Sequence, residues 1–432
     1  MLNPQAVELN EKIGKTNPHV LNLLSEKGKA IYYPVKGILA QTAEARGKQI
    51  NATIGTALED TGSPMVLNSI GKHVCLEGSK GFSYAPSSGR PEIRKVWKEM
   101  IFRKNPTLSG KAISTPVVTN AMTHGLSMAG YLFVNPGDTV ITPDLYWENY
   151  NLVFKNAHGA EFSTFPTFNS ENGFNTGGLK DRLLNSPKGK KIVILNFPNN
   201  PTGYTVTEDE AREIRDILLQ SAQEGNSILV LIDDAYFGLV FEEGVMKESM
   251  FSLLADAHER ILAVKFDGPT KEDYVWGFRV GFVTFGTALN SPDLYSALEK
   301  KLGGAIRGNI SSASNLSQSF LLAAYASDSY DQEKDRKFFI LQKRYLKIKD
   351  ILGKHPEYSE FLQALPFNSG YFMCVRVKNG NAEKIRQILL EKYNTGVIAQ
   401  GDLLRIAFSS APLELLDKLF ENVYLAAKES TQ

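Results

Sequence analysis

The chain is poor in the residues that most often carry covalent or metal chemistry. Cysteine occurs twice in 432 residues, at Cys75 and Cys374. Two thiols so far apart make no disulfide framework and suit a reducing compartment. Histidine is almost as scarce, with six scattered copies. Only His73 and Cys75 lie close together, and two ligands do not complete a zinc site. Excess charge is missing too: 48 Lys+Arg against 47 Asp+Glu leave +1, which gives no footprint for nucleic acid or an anionic membrane. The longest conspicuous apolar run, Ile228 to Ile232, is far too short to cross a bilayer. No continuous apolar segment of a secretory signal stands in the first 30 residues. A cytoplasmic protein without a membrane or nucleic-acid partner is expected. Nucleotide signatures are absent as well: no G-x-G-x-x-G follows a strand and no G-x-x-x-x-G-K-[ST] occurs. Gly125-Leu126-Ser127-Met128-Ala129-Gly130 misses a nucleophile elbow by one position.

What is present has the balance of a globular protein, with 43% hydrophobic and 22% charged residues. The length allows two or three domains, each with a core. From Thr115 to Phe285 short β-branched runs alternate with helical stretches. Lys191 to Leu195, Ser227 to Ile232 and Arg260 to Phe266 read as buried strands. Glu208 to Gln223 reads as a helix, capped by Thr207 with a Glu three residues on. This alternation predicts an α/β unit whose mostly parallel sheet is covered on both faces. Ligands then bind beyond the carboxyl ends of the strands. From Asp328 the pattern changes to charged helix, a strand at Tyr371 to Val377, a helix from Ala382 to Tyr393 and a strand at Leu403 to Phe408 before a last helix. That is a smaller α+β module.

Four segments at strand ends hold unusual polar chemistry. Asn196-Phe197-Pro198-Asn199-Asn200-Pro201-Thr202-Gly203 follows the first strand; alone, it is also what a tight turn looks like. Asp233-Asp234-Ala235-Tyr236 follows the second, where a buried carboxylate needs a partner, a cap or an ion pair. The loop from Gly268 to Gly281 follows the third and carries Lys271 and Arg279, eight residues apart. Arg405 interrupts the apolar strand Leu403-Leu404-Arg405-Ile406-Ala407-Phe408, where a snorkelling edge arginine would fit equally well.

Taken together and in this order, the four segments resemble the fold-type I, pyridoxal-phosphate-dependent aminotransferases. The resemblance runs from about Ile50 to Ser409 and is nearest the aspartate/aromatic branch. Ile54-Gly55 with Glu59-Asp60-Thr61-Gly62, Tyr84-Ala85-Pro86-Ser87-Ser88-Gly89-Arg90-Pro91-Glu92 and Ala305-Ile306-Arg307-Gly308-Asn309 add to it. It implies a large domain with a seven-stranded, mostly parallel sheet between helices. The implied division is 1–60 as an N-terminal arm and part of the small domain, 61–325 as the cofactor-binding domain and 326–432 as the small C-terminal domain.

The resemblance also assigns roles. Lys271 would link to the cofactor and carry the substrate Cα proton, with Lys265, inside the strand, as its rival. Asp233 would keep the ring nitrogen protonated, while Asp234 should face the other way. Asn200 and Tyr236 would bind the phenolic oxygen, and Trp147 would stack on the ring. Ala121, Met122 and Thr123, at the start of a helix running from Thr123 to Phe133, would hold the phosphate together with Arg279, Thr270 and Tyr84 of a second subunit. Arg405 would grip the substrate α-carboxylate beside Gly55 and Asn200, and Arg307 a distal carboxylate across a homodimer interface. One departure stands out: the family's phosphate-binding hydroxyl three residues before the lysine is Gly268 here. The expected reaction moves an amino group between an L-amino acid and a 2-oxo acid, with 2-oxoglutarate and glutamate as one pair. The alternatives are a pyridoxal-phosphate lyase or decarboxylase on the same scaffold, and a non-catalytic regulator, for which the residues before Ile50 leave no room for a DNA-binding domain.

Overall fold

The structure is a computed structural model that describes residues 38–53, 55–63, 65–71, 83–378 and 380–431, with residues 2–4, 7, 8, 10, 11 and 15 near the start. His73, Cys75 and Ile54 lie outside the described residues.

Seven strands form one sheet in the order β2-β8-β7-β6-β5-β3-β4. They are β2 (Val117–Asn120), β3 (Thr139–Pro143), β4 (Glu161–Phe165), β5 (Lys190–Asn196), β6 (Ser227–Asp233), β7 (Ile261–Asp267) and β8 (Val280–Gly286). All neighbours run parallel except β8, which is antiparallel to both β7 and β2. The predicted strands thus form: β5 is longer by two residues and β6 by one, and β7 is shifted one residue toward its carboxyl end. Their near-continuous apolar runs are explained by two cores. Val193, Leu195, Val230 and Ile232 pack into one, and Ile192, Ile194, Leu229 and Leu231 into the other. Strand alternation sends neighbouring residues to opposite faces, so only a sheet covered on both sides buries them all. Helix α2 (Pro91–Lys104) lies on the first face, and α3 (Ala121–Phe133), entered directly from β2, on the second. Helix α4 is Thr176–Leu184, and α5 (Glu208–Gln223) begins with the expected capping box between Thr207 and Glu210.

The short helix α6 (Pro269–Glu272) follows β7 at once, and α7 (Pro292–Asn309), α8 (Asn315–Tyr325) and the long α9 (Tyr330–Lys354) follow β8. A second, antiparallel sheet has the order β12-β13-β10-β9, from β9 (Leu362–Ala364), β10 (Phe372–Val377), β12 (Ile398–Gln400) and β13 (Leu403–Ala407). It packs with α10 (Ala382–Glu391) and α11 (Leu416–Ser430). The early strand β1 (Ile50–Asn51) pairs in parallel with β11 (Thr395–Gly396), and the amide of Gln41, on helix α1 (Ile38–Glu44), bridges to both backbone groups of Ala399. The front of the chain therefore joins its C-terminal module.

The two sheets are fastened where the Asn-Pro-x-Gly turn meets the segment before β10. Asn368 exchanges two hydrogen bonds of 2.8 Å with the backbone of Thr205, and the Gly203 carbonyl accepts from the amides of Asn368 and Ser369. Gly203 has φ +73°, and a Cβ there would lie 1.9 Å from the Phe372 carbonyl oxygen. Only glycine fits both demands. Among the described residues no helix is long and apolar enough to cross a membrane, and no cluster of metal-ligating side chains occurs.

Candidate active site

β5 and β6 end in register, with Asn196 opposite Asp233, and the polar residues after them meet in one cavity. Met122, Thr123, Leu126, Trp147, Asn196, Asn200, Asp233, Ala235, Tyr236 and Lys271 line it. Asp233 follows Leu229 and Leu231 on the face of β6 that looks toward α3, so alternation carries its side chain into the cavity. Its Oδ2 accepts a 2.6 Å hydrogen bond from the Tyr150 hydroxyl, and Oδ1 accepts from the Ala235 amide at 3.1 Å. Burial pushes this carboxyl above its ordinary range; the Tyr150 hydroxyl, the Lys271 charge and the Ala235 amide pull it back only in part. A further donor or cation facing it would therefore be stabilising. Asp234 points to the opposite face. It pairs there with Lys265 and accepts from the Ser249 hydroxyl at 2.6 Å, while Lys265 lies 3.3 Å from Asp267. Lys265 is thus committed to two carboxylates under the sheet, and Lys271 is the lysine that opens on the cavity.

The Lys271 ammonium lies 5.1 Å from the centre of the Tyr236 ring. Burial lowers its pKa to about 8; Asp233 works against the shift and the Arg279 guanidinium adds to it. The Tyr236 ring is itself wedged edge-on between Tyr371 and Phe372 at 5.3 and 5.5 Å. Trp147 stands edge-on to Tyr150 at 5.6 Å.

At the other end of the cavity, α3 begins at Ala121, two residues before the predicted Thr123, because β2 runs into it without a loop. Ala121 takes φ +64°, and the Asn120 side chain does not cap the first turn. Helix N-termini leave amides without intrahelical acceptors, so those of Met122 and Thr123 can serve an anion. β8 presses against this turn: a Cβ on Gly281 would lie 2.7 Å from the Met122 nitrogen. The same crowding accounts for Gly268, where a Cβ would lie 2.9 Å from the Val280 carbonyl oxygen and 3.0 Å from the Gly281 Cα. No side chain fits there. The neighbouring hydroxyl, Thr270 Oγ1, is buried without a hydrogen-bond partner. Arg279, in the left-handed region at φ +52°, donates to the Trp276 carbonyl at 3.1 Å.

Arg405, buried in β13, reaches from the second sheet to Asn200 in the cavity's lining. It donates to Asn200 Oδ1 at 3.2 Å and to the Thr53 carbonyl at 3.3 Å, lies 4.3 Å over the Phe372 ring, and keeps its Nε without a partner. Gly55 is half-buried beside the same ring, its Cβ position 3.7 Å from Phe372 Cζ. Two predicted residues do not join this group within the chain: Tyr84 is 92% exposed, and Arg307 is exposed near the end of α7. Two further residues, Tyr150 and Asn196, carry no functional signal in the sequence and belong to the site. Tyr150 lies three residues after Trp147, a spacing that puts both on one side of a turn, and only its contact with Asp233 gives it meaning. Asn196 donates to the Asp233 carbonyl at 2.8 Å and accepts from the Asn200 amide at 2.9 Å, tying the two polar turns together.

Residues 47–423 match the family model for aminotransferase class I and II. The chain is 24% identical over 353 residues to the aspartate aminotransferase of Sulfurisphaera tokodaii, covering 81% of this chain and 80% of that protein. It is 26% identical to the probable N-acetyl-LL-diaminopimelate aminotransferase of Bacillus subtilis, over 56% of this chain and 55% of that protein. Its fold superposes on the crystal structure of an aminotransferase from Anaerococcus prevotii with a TM-score of 0.79 at 23% identity, covering 91% of this chain and 96% of that one. The chain belongs to the class I and II aminotransferases and is a pyridoxal-phosphate-dependent enzyme. The residues present fit that cofactor: an amine in the cavity, a buried carboxylate short of a partner, an uncapped helix start and an orphaned hydroxyl beside the lysine.

Proposed function

We propose that this aminotransferase exchanges the amino group of an L-amino acid with a 2-oxo acid, with glutamate and 2-oxoglutarate as one pair, through Lys271, Asp233, Tyr236 and Arg405. The observation that carries the reading is that Lys271, Asp233 and Tyr236 line one cavity, while Arg405 is bound to Asn200 of the same lining and keeps its Nε free. When bound, pyridoxal phosphate supplies the electron sink for the carbanion formed at the substrate Cα.

The protein's own groups do the rest. Lys271 Nζ would anchor the cofactor and, once released, would take the proton from the substrate Cα and hold it for return. Asp233 holds the ring nitrogen protonated, and Tyr150 holds Asp233. Asn200 and the Tyr236 hydroxyl serve the phenolic oxygen, and Trp147 covers the ring face. Ala121, Met122 and Thr123, with Thr270 and Arg279, serve the phosphate; Thr270 takes over the hydroxyl role for which Gly268 has no room. Arg405 receives the α-carboxylate as a two-pronged donor, with Gly55 giving backbone-only space beside it. This grip sets which Cα bond faces the ring, and so favours proton transfer over loss of carbon dioxide.

The exposure of Tyr84 and Arg307 supports a homodimer in which each chain lends these two residues to its partner's site. The pairing of β1 with β11 supports the division into 1–60 with 326–432 around a central 61–325. The test is a visible absorbance spectrum of purified protein mixed with a panel of amino acids. Conversion to the amino form of the cofactor, reversed by 2-oxoglutarate, is the expected outcome. Release of ammonia or carbon dioxide without a new amino acid would replace this reading by a lyase or decarboxylase.

A further inference from the structure

A group of four paired ionised side chains outside the cavity lies directly behind Lys271. The next two residues are Glu272 and Asp273, 6% and 0% exposed. Lys104, at the end of α2, lies 3.0 Å from each oxygen of Glu272. Lys334, in the first turns of α9, is shared: 2.8 Å from Glu272 and 3.1 Å from Asp273. Tyr330 and Tyr325 donate their hydroxyls to Asp273 at 2.6 and 2.9 Å. The Tyr371 hydroxyl donates to the Lys271 carbonyl at 3.0 Å. Two carboxylates and two ammonium groups thus close a neutral, fully partnered cluster drawn from α2, α6, α8 and α9.

Helix α6 has four residues, and a single turn cannot hold its own orientation because nucleation is unfavourable. Its direction must come from outside. We infer that Glu272 and Asp273 are positioning residues, locked by Lys334, that aim the Lys271 amine into the cavity. This rests on Lys271 being the cofactor-bearing lysine. Buried ion pairs add little stability compared with apolar packing, but they fix geometry, and geometry is what a proton carrier between two carbons requires. Because Lys334 belongs to the helix leading into the second sheet, the aim of Lys271 is set by the seating of that helix against the large sheet.

Removing Lys334 leaves Glu272 and Asp273 against Lys104 alone, so a net negative charge appears beside Lys271. The other charges facing Lys271, Asp233 and Arg279, stay in place, with Tyr236 neutral; Asp267 and Glu59 around the cluster are unchanged too. An added negative charge favours the protonated nitrogen. The experiment uses the holoenzyme carrying Lys334→Met, Lys334→Arg or Tyr330→Phe. It measures the pH midpoint of the absorbance of lysine-bound cofactor, kcat and KM for glutamate, and Tm. Lys334→Met is expected to raise the midpoint by roughly half a unit to one unit and to lower kcat about tenfold to a hundredfold, with KM nearly unchanged. Lys334→Arg should restore most of both, and Tyr330→Phe should fall between. A lower Tm with midpoint and kcat unchanged, or no recovery in Lys334→Arg, overturns the proposal. If Lys334→Met does not fold, Tyr330→Phe decides in the same way, since it removes one hydroxyl. Lys271→Ala is measured in parallel: if it keeps the lysine-bound absorbance, the premise about Lys271 fails, and the proposal fails with it, whatever the Lys334 variants do.

Discussion

At the scale of single residues, burial holds the Lys271 amine toward its neutral form. Its pKa lies at about 8 instead of 10.5, and only the neutral amine is a nucleophile. Capture of pyridoxal phosphate by the apo-protein should therefore speed up with a midpoint near pH 8, as stopped-flow absorbance would show. Asp233→Asn removes the charge that opposes the shift, so the midpoint should move lower; an upward move would contradict the electrostatics described for the pair. The unfolded chain binds the extra proton between about pH 8 and 10.5, so the apo-protein gains stability as pH rises through that window.

The two adjacent aspartates separate by function in a second test. Asp233→Ala should cost orders of magnitude in kcat with little loss of Tm, because the ring nitrogen loses its partner. Asp234→Ala should do the reverse. It leaves the buried Lys265 with Asp267 as its remaining carboxylate, at up to about 3–5 kcal/mol for a broken buried pair, while activity in the surviving fold falls far less. Equal activity losses would mean that the wrong carboxylate has been chosen. Tyr150→Phe removes a charge-assisted donor to Asp233, commonly worth about 1.5–3 kcal/mol. It should lower kcat/KM by about tenfold or more and leave Tm within a few degrees.

At the scale of elements, the end of the cavity at the first turn of α3 is built by close backbone approach. Gly281 lets β8 touch the first turn of α3, where a Cβ would lie 2.7 Å from the Ala121 carbonyl carbon and the Met122 nitrogen. Gly281→Ala should push the turn away from its position, weakening cofactor binding at least tenfold and lowering Tm. Equilibrium dialysis against pyridoxal phosphate, with calorimetry, measures both. Retained affinity would show that the first-turn amides do not hold the phosphate. The sequence pattern places the start of α3 at Thr123, two residues late. Helix periodicity shows where a helix is under way, whereas its first turn here is set by the junction with β2 and by a positive φ at Ala121 that no pattern of apolar residues announces.

At the scale of the molecule, a homodimer with shared sites predicts that two inactive variants complement each other. Lys271→Ala mixed with Tyr84→Ala should regain part of the wild-type activity, since hybrid dimers contain one site with both residues intact. A fully active monomer by size-exclusion chromatography at assay concentration would end this reading. Arg307 belongs to the same scale because it is exposed and outside the cavity of its own chain. Arg307→Ala should lower kcat/KM for glutamate about tenfold to a hundredfold, the loss of a charge-assisted pair, and leave phenylalanine nearly unchanged. Parallel losses would reduce Arg307 to an interface residue.

Sequence by itself determined the alternation of strands and helices, the capped start of α5, the turn after β5 and the opposite orientation of Asp233 and Asp234. These depend on residues near one another along the chain, where backbone geometry and side-chain periodicity act directly. Tertiary structure alone decided that Tyr150 serves Asp233, that Gly268 has no room for a hydroxyl, and that Lys334 and Tyr330 hold the two carboxylates after Lys271. Each of those depends on partners brought together from distant parts of the chain. A buried charge in a sequence shows that a partner must exist, and only the packing of the elements selects which one.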